Sequence, residues 1–551
     1  MVNWHTTVDV LCVGSGAGGL SAAITAAEAG AKVLVVEKDS KAGGVTGISS
    51  GQCWVGNNSL AAAANISDSR EETLAYLQHL SQGLADLTLQ SQFVDDSVTT
   101  IDYLCQNIGI PFKVVKDYPD YYYPAVSGAK ASGRYLEVAP VAASVLGDWA
   151  DKSIVTSYGE GYAYTTSQEW VDHQQGFLSG DAKPIWECLA EHMTKDERCA
   201  GAGLAVHLLK ACLDRQVDIW LQSPAVRLIV ENNQLLGAVV ATPEGDRNVR
   251  AKRGVLLATS GYDWNKAFVE RFEALPNAGS MSPPTVEGDH LVMAAQLAAI
   301  PQPSRAPAQT PVFIGYRVPG EQVYNKPSYR MLIPGAPHSI IVNAVGRRFA
   351  NDSFYPDVAT KVARFDGQEQ GMPNWPAWLV FDQQMLNKYG LLPFNPGELL
   401  AEDMAIVADS VEGLANKAGI CEQGLQTTIE HYNAQCATGK DELGRGTVPW
   451  GALMAGDPNN PKNPNMAAIS EGPFYAIQLE RVVMGVPTAG LKVNGRAQVL
   501  NVSDKIIAGL YAAGNSTSWL EIGGGYNSGI ANTRGLVQGH NAAKHMLAVS
   551  N

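Results

Sequence analysis

Residues 14 to 19 of the 551-residue chain read Gly14-Ser15-Gly16-Ala17-Gly18-Gly19, with Gly14, Gly16 and Gly19 spaced as GxGxxG. That spacing suits phosphate: the first glycine permits a tight turn, the second lets a pyrophosphate approach the backbone, and the third lets a helix sit against a strand. Glu37 stands 18 residues past Gly19, where a carboxylate can accept both hydroxyls of a ribose. Between Lys41 and Gly51 (KAGGVTGISSG) glycines recur faster than a helix or strand tolerates, so this backbone must pass close to something flat or charged. Phenols are the other concentrated chemistry. Tyr118, Tyr121, Tyr122 and Tyr123 share the run YPDYYYP, Tyr355 follows RRFANDSF, and Tyr526 lies in GGGYNSG. Adjacent tyrosines can equally form a plain amphipathic wall. Arg534 offers a guanidinium fork that matches a carboxylate bidentately, or else an ordinary ion-paired helix arginine. The ten histidines show no HxH or HxxxH spacing and the eight cysteines no CxxC pair. No metal site, disulfide framework or covalent haem is therefore expected.

The glycine motif is set in elements that can present it. Val8 to Val13 is a β-branched run suited to a strand buried on both faces, Leu20 to Ala29 is an Ala-rich helical stretch stopped by Gly30, and Lys32 to Val36 reads as a second strand. A phosphate would then meet the positive N-terminal end of the helix. Leu204 to Leu213 reads as a helix, and Val217 to Trp220 with Ala225 to Val230 as paired strands. Arg253 to Gly261 is a further apolar strand, and a last helix is expected from about Gly529 to Ala548. Composition agrees with a compact, loop-rich globular protein. Hydrophobic residues make up 46% and charged residues 17%, which excludes disorder, and the length implies roughly two to four domains. A net charge of -14 argues against nucleic acid, whose binding draws on clustered cations. The N-terminus lacks the pattern of a cleaved signal and no apolar run is long enough for stable membrane insertion, so a cytoplasmic protein is expected.

Three separated stretches, Gly14 to Gly19, Lys41 to Gly51, and Gly509-Leu510-Tyr511-Ala512-Ala513-Gly514-Asn515 with Gly523 to Gly529, together resemble the flavoproteins of the fumarate reductase and 3-ketosteroid dehydrogenase superfamily. The resemblance spans nearly the whole chain and is weakest from Pro140 to Arg198. It implies an α/β fold, a Rossmann-like FAD-binding domain (1–303 and 478–551) with an inserted α+β catalytic domain (304–477). It also implies non-covalent FAD held by Gly14, Gly16, Ala17, Gly18, Gly19, Glu37, Lys38, Gly43, Gly44, Thr46, Ser49, Gly51, Ala225, Val226, Gly261, Gly514, Asn515, Gly529 and Ile530.

The segment from Ile340 to Asp352 resembles the superfamily's VN..G.RF.NE hairpin, and in ketosteroid dehydrogenases the tyrosine just past it takes a hydrogen from carbon. Here that is Tyr355. Desaturation beside a carbonyl removes an α-proton and sends a β-hydride to flavin N5, so a base and an oxyanion site are both needed. The YPDYYYP run with Gly133-Arg134 resembles the element that supplies a second tyrosine: counting from Asp120 selects Tyr122, counting from Pro124 selects Tyr123. Tyr526 and Gly529 match the groups that hold the ketone oxygen, with Ser528 as a proton relay in the manner of the Δ4-(5α) branch. The resemblance thus implies a dehydrogenase of a cyclic ketone, with an external acceptor (oxygen, quinone or carrier). Its substrate is a 3-oxosteroid or a small oxo-ring acid such as 4-oxocyclohexanecarboxylate, and Arg534 as a carboxylate clamp would favour the acid. The alternative is a fumarate-reductase-like reductase of enoates or dicarboxylates, although Val482 to Gly490 and Tyr526 replace the expected dicarboxylate ligands.

Overall fold

The computed structural model describes residues 2–155, 163–179, 181–232, 234–275, 277–304, 313–323 and 325–549. The first strand, Thr6–Val13, lies parallel to Val33–Val36 on one side and Gly245–Leu257 on the other. Ile506–Ala512 extends this layer beyond Gly245–Leu257, and Asp218–Trp220 extends it beyond Val33–Val36. Alternate side chains enter two different cores. Val10, Cys12, Val33 and Val35 face the helices Ala17–Glu28, Ala200–Asp214 and Ile530–Ala548, while Leu11, Val13, Leu34 and Val36 face the opposite layer. A strand covered on both faces has no polar side, which is why this stretch reads as continuous apolar sequence. Asp218–Trp220 and Ala225–Glu231 do not pair with each other as expected. The former joins Val33–Val36, and the latter pairs antiparallel with Gln234–Thr242, which folds back on Gly245–Leu257.

A second sheet orders Ser339–Asn343, Ala377–Asp382, Phe474–Gln478 and Ile406–Ala408 antiparallel. The expected hairpin after Asn343 is instead a tight turn: Gly346 N–H donates to Asn343 O, and the strand's neighbour is Ala377–Asp382. What shapes the returning chain is charge. Asp352 accepts from the Ile341 N–H at 2.8 Å and from Arg348 at 2.6 Å, and lies 2.9 Å from Arg445; Arg348 also binds Asp441 at 2.5 Å. Asp352 and Arg445 are each 1% exposed. Burial opposes the Asp352 carboxylate, but the two guanidinium groups and the hydrogen bonds outweigh it and pull its pKa down to about 2. This cluster fixes the loop that enters the helix Tyr355–Val362. A short four-stranded sheet (Gly279–Ser280, Glu480–Val483, Phe313–Tyr316, Arg330–Met331) stands beside it. A three-stranded sheet (Cys53–Trp54, Tyr135–Val138, Phe112–Val114) carries the tyrosine-rich loop. Among the described residues no helix is long and apolar enough to cross a membrane.

Because the folded pKa of Asp352 is depressed, its stabilisation is present above the unfolded value near 4 and is lost as pH falls toward 2. Asp352→Asn strips the carboxylate from both arginines and is expected to cost about 3–5 kcal/mol in denaturant unfolding at pH 7. The difference from wild type should shrink toward pH 2; a variant as stable as wild type at pH 7 would show that the cluster does not hold this loop.

Candidate functional site

The glycine turn forms one wall of a cleft that Glu37, Ala225, Ala258 and Thr285 also line. Gly14 has φ 105°, and a Cβ there would lie 2.3 Å from Ala258 O; one on Gly19 would lie 1.9 Å from Gly14 O. Gly14 lets the turn pass the end of the neighbouring strand, and Gly19 lets the first helix sit against that turn. Gly16 and Gly44 serve differently: a Cβ on either would meet no heavy atom closer than 3.6 Å, so the space remains open for a phosphate. Gly18 faces the last helix, its Cβ position 3.0 Å from Ala513, and so belongs to helix packing. The Ala17 N–H donates to Thr46 Oγ1 at 3.0 Å and Ser49 Oγ to Thr46 O at 2.8 Å, tying the two glycine-rich loops together, while Gly43 and Gly51 bend them with positive φ.

Glu37 accepts from the Ser15 N–H, Ser15 Oγ and the Asp39 N–H, and burial raises its carboxyl above the usual range despite these bonds. Lys38 lines the cleft and is paired with Glu287 and Asp289. Ala225 lines it too, but Val226 does not: strand alternation turns it outward, 49% exposed. Gly261 also falls outside the lining, which is formed by Ala258, Thr259 and Ser260. Thr285 and Asp289 carry no motif signal, since they reach the cleft only through tertiary structure. The Ser260 Oγ and Asn515 Oδ1 atoms are buried without a protein hydrogen bond, as expected of groups that a bound polar cofactor satisfies. Gly514 begins a turn against the last helix, which starts at Ile530 after Gly529. Open glycine walls, a carboxylate on the cleft wall and unpaired buried polar atoms together fit FAD.

Beyond the cleft lies an aromatic box. Tyr355 Oη donates to Tyr121 Oη at 3.2 Å, and the two rings meet edge to face with centroids 5.8 Å apart. Phe313 stacks on Tyr355 at 5.0 Å, and Trp450 packs 4.7 Å from Tyr121 and 5.6 Å from Tyr355. Tyr526 completes the group 6.3 Å from Tyr121. Burial, then the neighbouring phenols, push Tyr355 and Tyr121 well above the ordinary tyrosine value. Ser528 Oγ donates to Gln52 Oε1 at 3.0 Å, and its hydroxyl lies within reach of Tyr121.

The partner of Tyr355 is therefore neither Tyr122 nor Tyr123. Tyr122 packs against Phe354 at 5.5 Å, and Tyr123 is half-buried at the turn before Pro124. The register is set by Asp120, which accepts from Arg134 at 2.9 Å and Trp54 Nε1 at 2.7 Å and so turns the next residue, Tyr121, inward. The pairing of Asp120 with the arginine of Gly133-Arg134 was the sequence signal that could have fixed it. Gln52 and Trp450 carried no comparable signal.

Arg534 is also corrected. It is fully buried and donates to Glu521 at 2.5 Å, Thr517 Oγ1 at 2.8 Å and Ser518 O at 3.0 Å, with its guanidinium 4.2 Å from the Trp519 ring centre. With a protein carboxylate already in its fork it is no clamp for a substrate; it anchors the Gly514–Ser518 stretch beside the last helix.

A nucleotide cradle joined to a phenolic box marks a flavin-dependent oxidoreductase. Residues 9–533 match the FAD binding domain family, and the chain belongs to it. It is 32% identical over 524 residues to 4-oxocyclohexanecarboxylate 2-dehydrogenase of Sinomonas cyclohexanicum, covering 93% of this chain and 88% of that one. It is 30% identical to 3-oxosteroid 1-dehydrogenase of Mycolicibacterium smegmatis, covering 93% and 92%. Among solved structures it is similar to 3-ketosteroid Δ1-dehydrogenase of Sterolibacterium denitrificans in complex with 1,4-androstadiene-3,17-dione, with a TM-score of 0.88, 29% identity, and coverage of 98% and 100%.

Arg534→Met leaves Glu521 buried without its cation and should lower unfolding stability by about 3–5 kcal/mol. Any preference of the enzyme for an oxo-acid over its methyl ester should be unaltered. A stable variant that has lost such a preference would return Arg534 to the substrate.

Proposed function

We propose that the protein desaturates a cyclic ketone next to its carbonyl. The observation that carries this reading is the Tyr355–Tyr121 hydroxyl contact beside Tyr526, in the segment that leads into the last helix. FAD bound in the cleft supplies the hydride acceptor. Tyr355 takes the α-proton, and Tyr121 stabilises the resulting charge arrangement by hydrogen bonding, with Ser528 next in line. Tyr526 Oη and the Gly529 N–H hold the ketone oxygen, aided by the positive end of the Ile530–Ala548 helix. Gly529 has φ 85° and a Cβ there would lie 2.7 Å from Trp54 N, so the position suits glycine alone. In this reading residues 304–477 bring Tyr355 onto a cofactor unit made by 1–303 and 478–551, and an external acceptor reoxidises the enzyme. The substrate is a monocyclic oxo-acid or a 3-oxosteroid, in line with the two relatives of nearly equal identity.

Anaerobic mixing tests this. A saturated cyclic ketone should bleach the flavin of wild type, and Tyr355→Phe should slow bleaching by roughly 10²- to 10⁴-fold while keeping FAD. Since burial raises the Tyr355 pKa, the reactive phenolate is scarce at neutral pH and the bleaching rate should climb about tenfold per pH unit below that pKa. Unchanged bleaching in Tyr355→Phe, or a rate independent of pH from neutral to alkaline, would remove Tyr355 as the base.

FAD is held without a covalent link in this proposal. Acid precipitation should release all of the yellow chromophore; colour retained in the washed pellet would show a covalent bond.

A further inference from the structure

Asn527 is fully buried, and each polar atom of its amide is engaged. Its Oδ1 accepts from Tyr76 Oη at 2.8 Å and from the backbone N–H of Tyr121 at 3.2 Å. Its Nδ2 donates to Tyr135 Oη at 2.8 Å and to Ser528 O at 3.1 Å. Tyr121 is thereby fixed twice, at its backbone by Asn527 and at its hydroxyl by Tyr355. The same asparagine sits between Tyr526 and Ser528 in the chain. It thus joins, through one side chain, the segment that supplies the base pair and the segment that supplies the oxyanion donors.

That junction matters for the chemistry. The α-carbon and the carbonyl oxygen are neighbouring parts of one small molecule, so the groups acting on them must keep their spacing to a fraction of an ångström. An amide suits the post because it accepts and donates at once without bringing charge among phenols that burial already holds neutral. A carboxylate there would add charge, and an aliphatic side chain would leave the Tyr121 N–H and two hydroxyls unpaired.

We propose that Asn527 is a positioning residue for the dehydrogenation, fixing the Tyr121–Tyr355 pair relative to Tyr526 and Gly529 so that proton removal and enolate stabilisation act on the same bound ketone. This rests on the function proposed above. Tyr76 and Tyr135 are, on this account, framework partners, and the bond to the Tyr121 N–H is the one that matters for rate.

The test uses the FAD-loaded enzyme, anaerobic bleaching by a saturated cyclic ketone that reduces wild type, and spectroscopic titration with a phenol as an enolate mimic. Asn527→Leu should lower the limiting bleaching rate by roughly 10- to 100-fold. The ketone concentration at half-saturation and the phenol affinity should stay within about threefold, because the oxyanion donors keep their own places. The double variant Tyr76→Phe/Tyr135→Phe removes the framework partners but keeps the Tyr121 bond; it should be less stable to heat yet keep the limiting rate within about threefold. An unchanged rate in Asn527→Leu, or equal rate losses in the two variants, overturns the proposal. If Asn527→Leu does not yield loaded enzyme, Asn527→Ala decides: a limiting rate lowered by roughly 10- to 100-fold upholds the role, and a rate equal to that of wild type ends it. Tyr355→Phe measured alongside separates the two claims: normal bleaching there defeats the base assignment itself, whatever the Asn527 variants do.

Discussion

The hydrogen bond between Tyr355 and Tyr121, made inside an aromatic box, is the constraint on which the remaining structure depends. A phenol in water is too weak an acid to be ionised at neutral pH, and burial makes ionisation harder still. Burial also means that, once formed, the phenolate is a strong base with few competing partners. A dry phenol pair can therefore act only where its geometry is imposed by surrounding packing and its proton has a hydroxyl to move toward. Phe313 and Trp450 impose the geometry, and Tyr121 with Ser528 supplies the hydroxyls.

Three buried ion clusters hold the box, and each lies behind it. Arg134 binds Asp120 and Asp68 under the Tyr121 loop; Arg348 and Arg445 bind Asp352 under the Tyr355 loop; Arg534 binds Glu521 beneath the segment that faces the last helix. In every case the guanidinium is spent on protein carboxylates. The residues in front of them are rings and dipoles, an environment suited to a ketone group that is neutral until charge develops on its oxygen during reaction. Excluding competing full charges keeps helix-end and hydroxyl dipoles effective, because their field is least screened in a dry site.

The parts of this arrangement that were legible in the sequence are the local ones. Gly19 is required by a contact within one strand-turn-helix unit, its Cβ position falling on Gly14 O, so the local spacing identifies the turn. The place of Tyr355 was legible because it follows the stretch around Arg347 and Arg348 that resembles the superfamily segment, although the expected second arm of a hairpin proved to be a charge-tied loop. Tyr121 was missed because loop register depends on a side-chain pairing, Asp120 with Arg134, rather than on spacing from Pro124. Arg534 was misread because its carboxylate lies 13 residues upstream in a stretch whose path only the tertiary structure defines. Alternation separates the side chains of Ala225 and Val226: the first faces the cleft and the second points outward.

The central claim is that Tyr355, backed by Tyr121, removes a proton from the carbon beside a cyclic ketone. Its most direct measurement is single-turnover flavin reduction, under anaerobic conditions, by a ketone such as 4-oxocyclohexanecarboxylate deuterated at the carbons flanking the carbonyl, in wild type and in Tyr121→Phe. The account predicts that α-deuterium slows reduction severalfold in wild type and more strongly in Tyr121→Phe, where proton removal becomes the harder step. Reduction at the same rate with and without α-deuterium in both proteins, with Tyr121→Phe no slower than wild type, would contradict it.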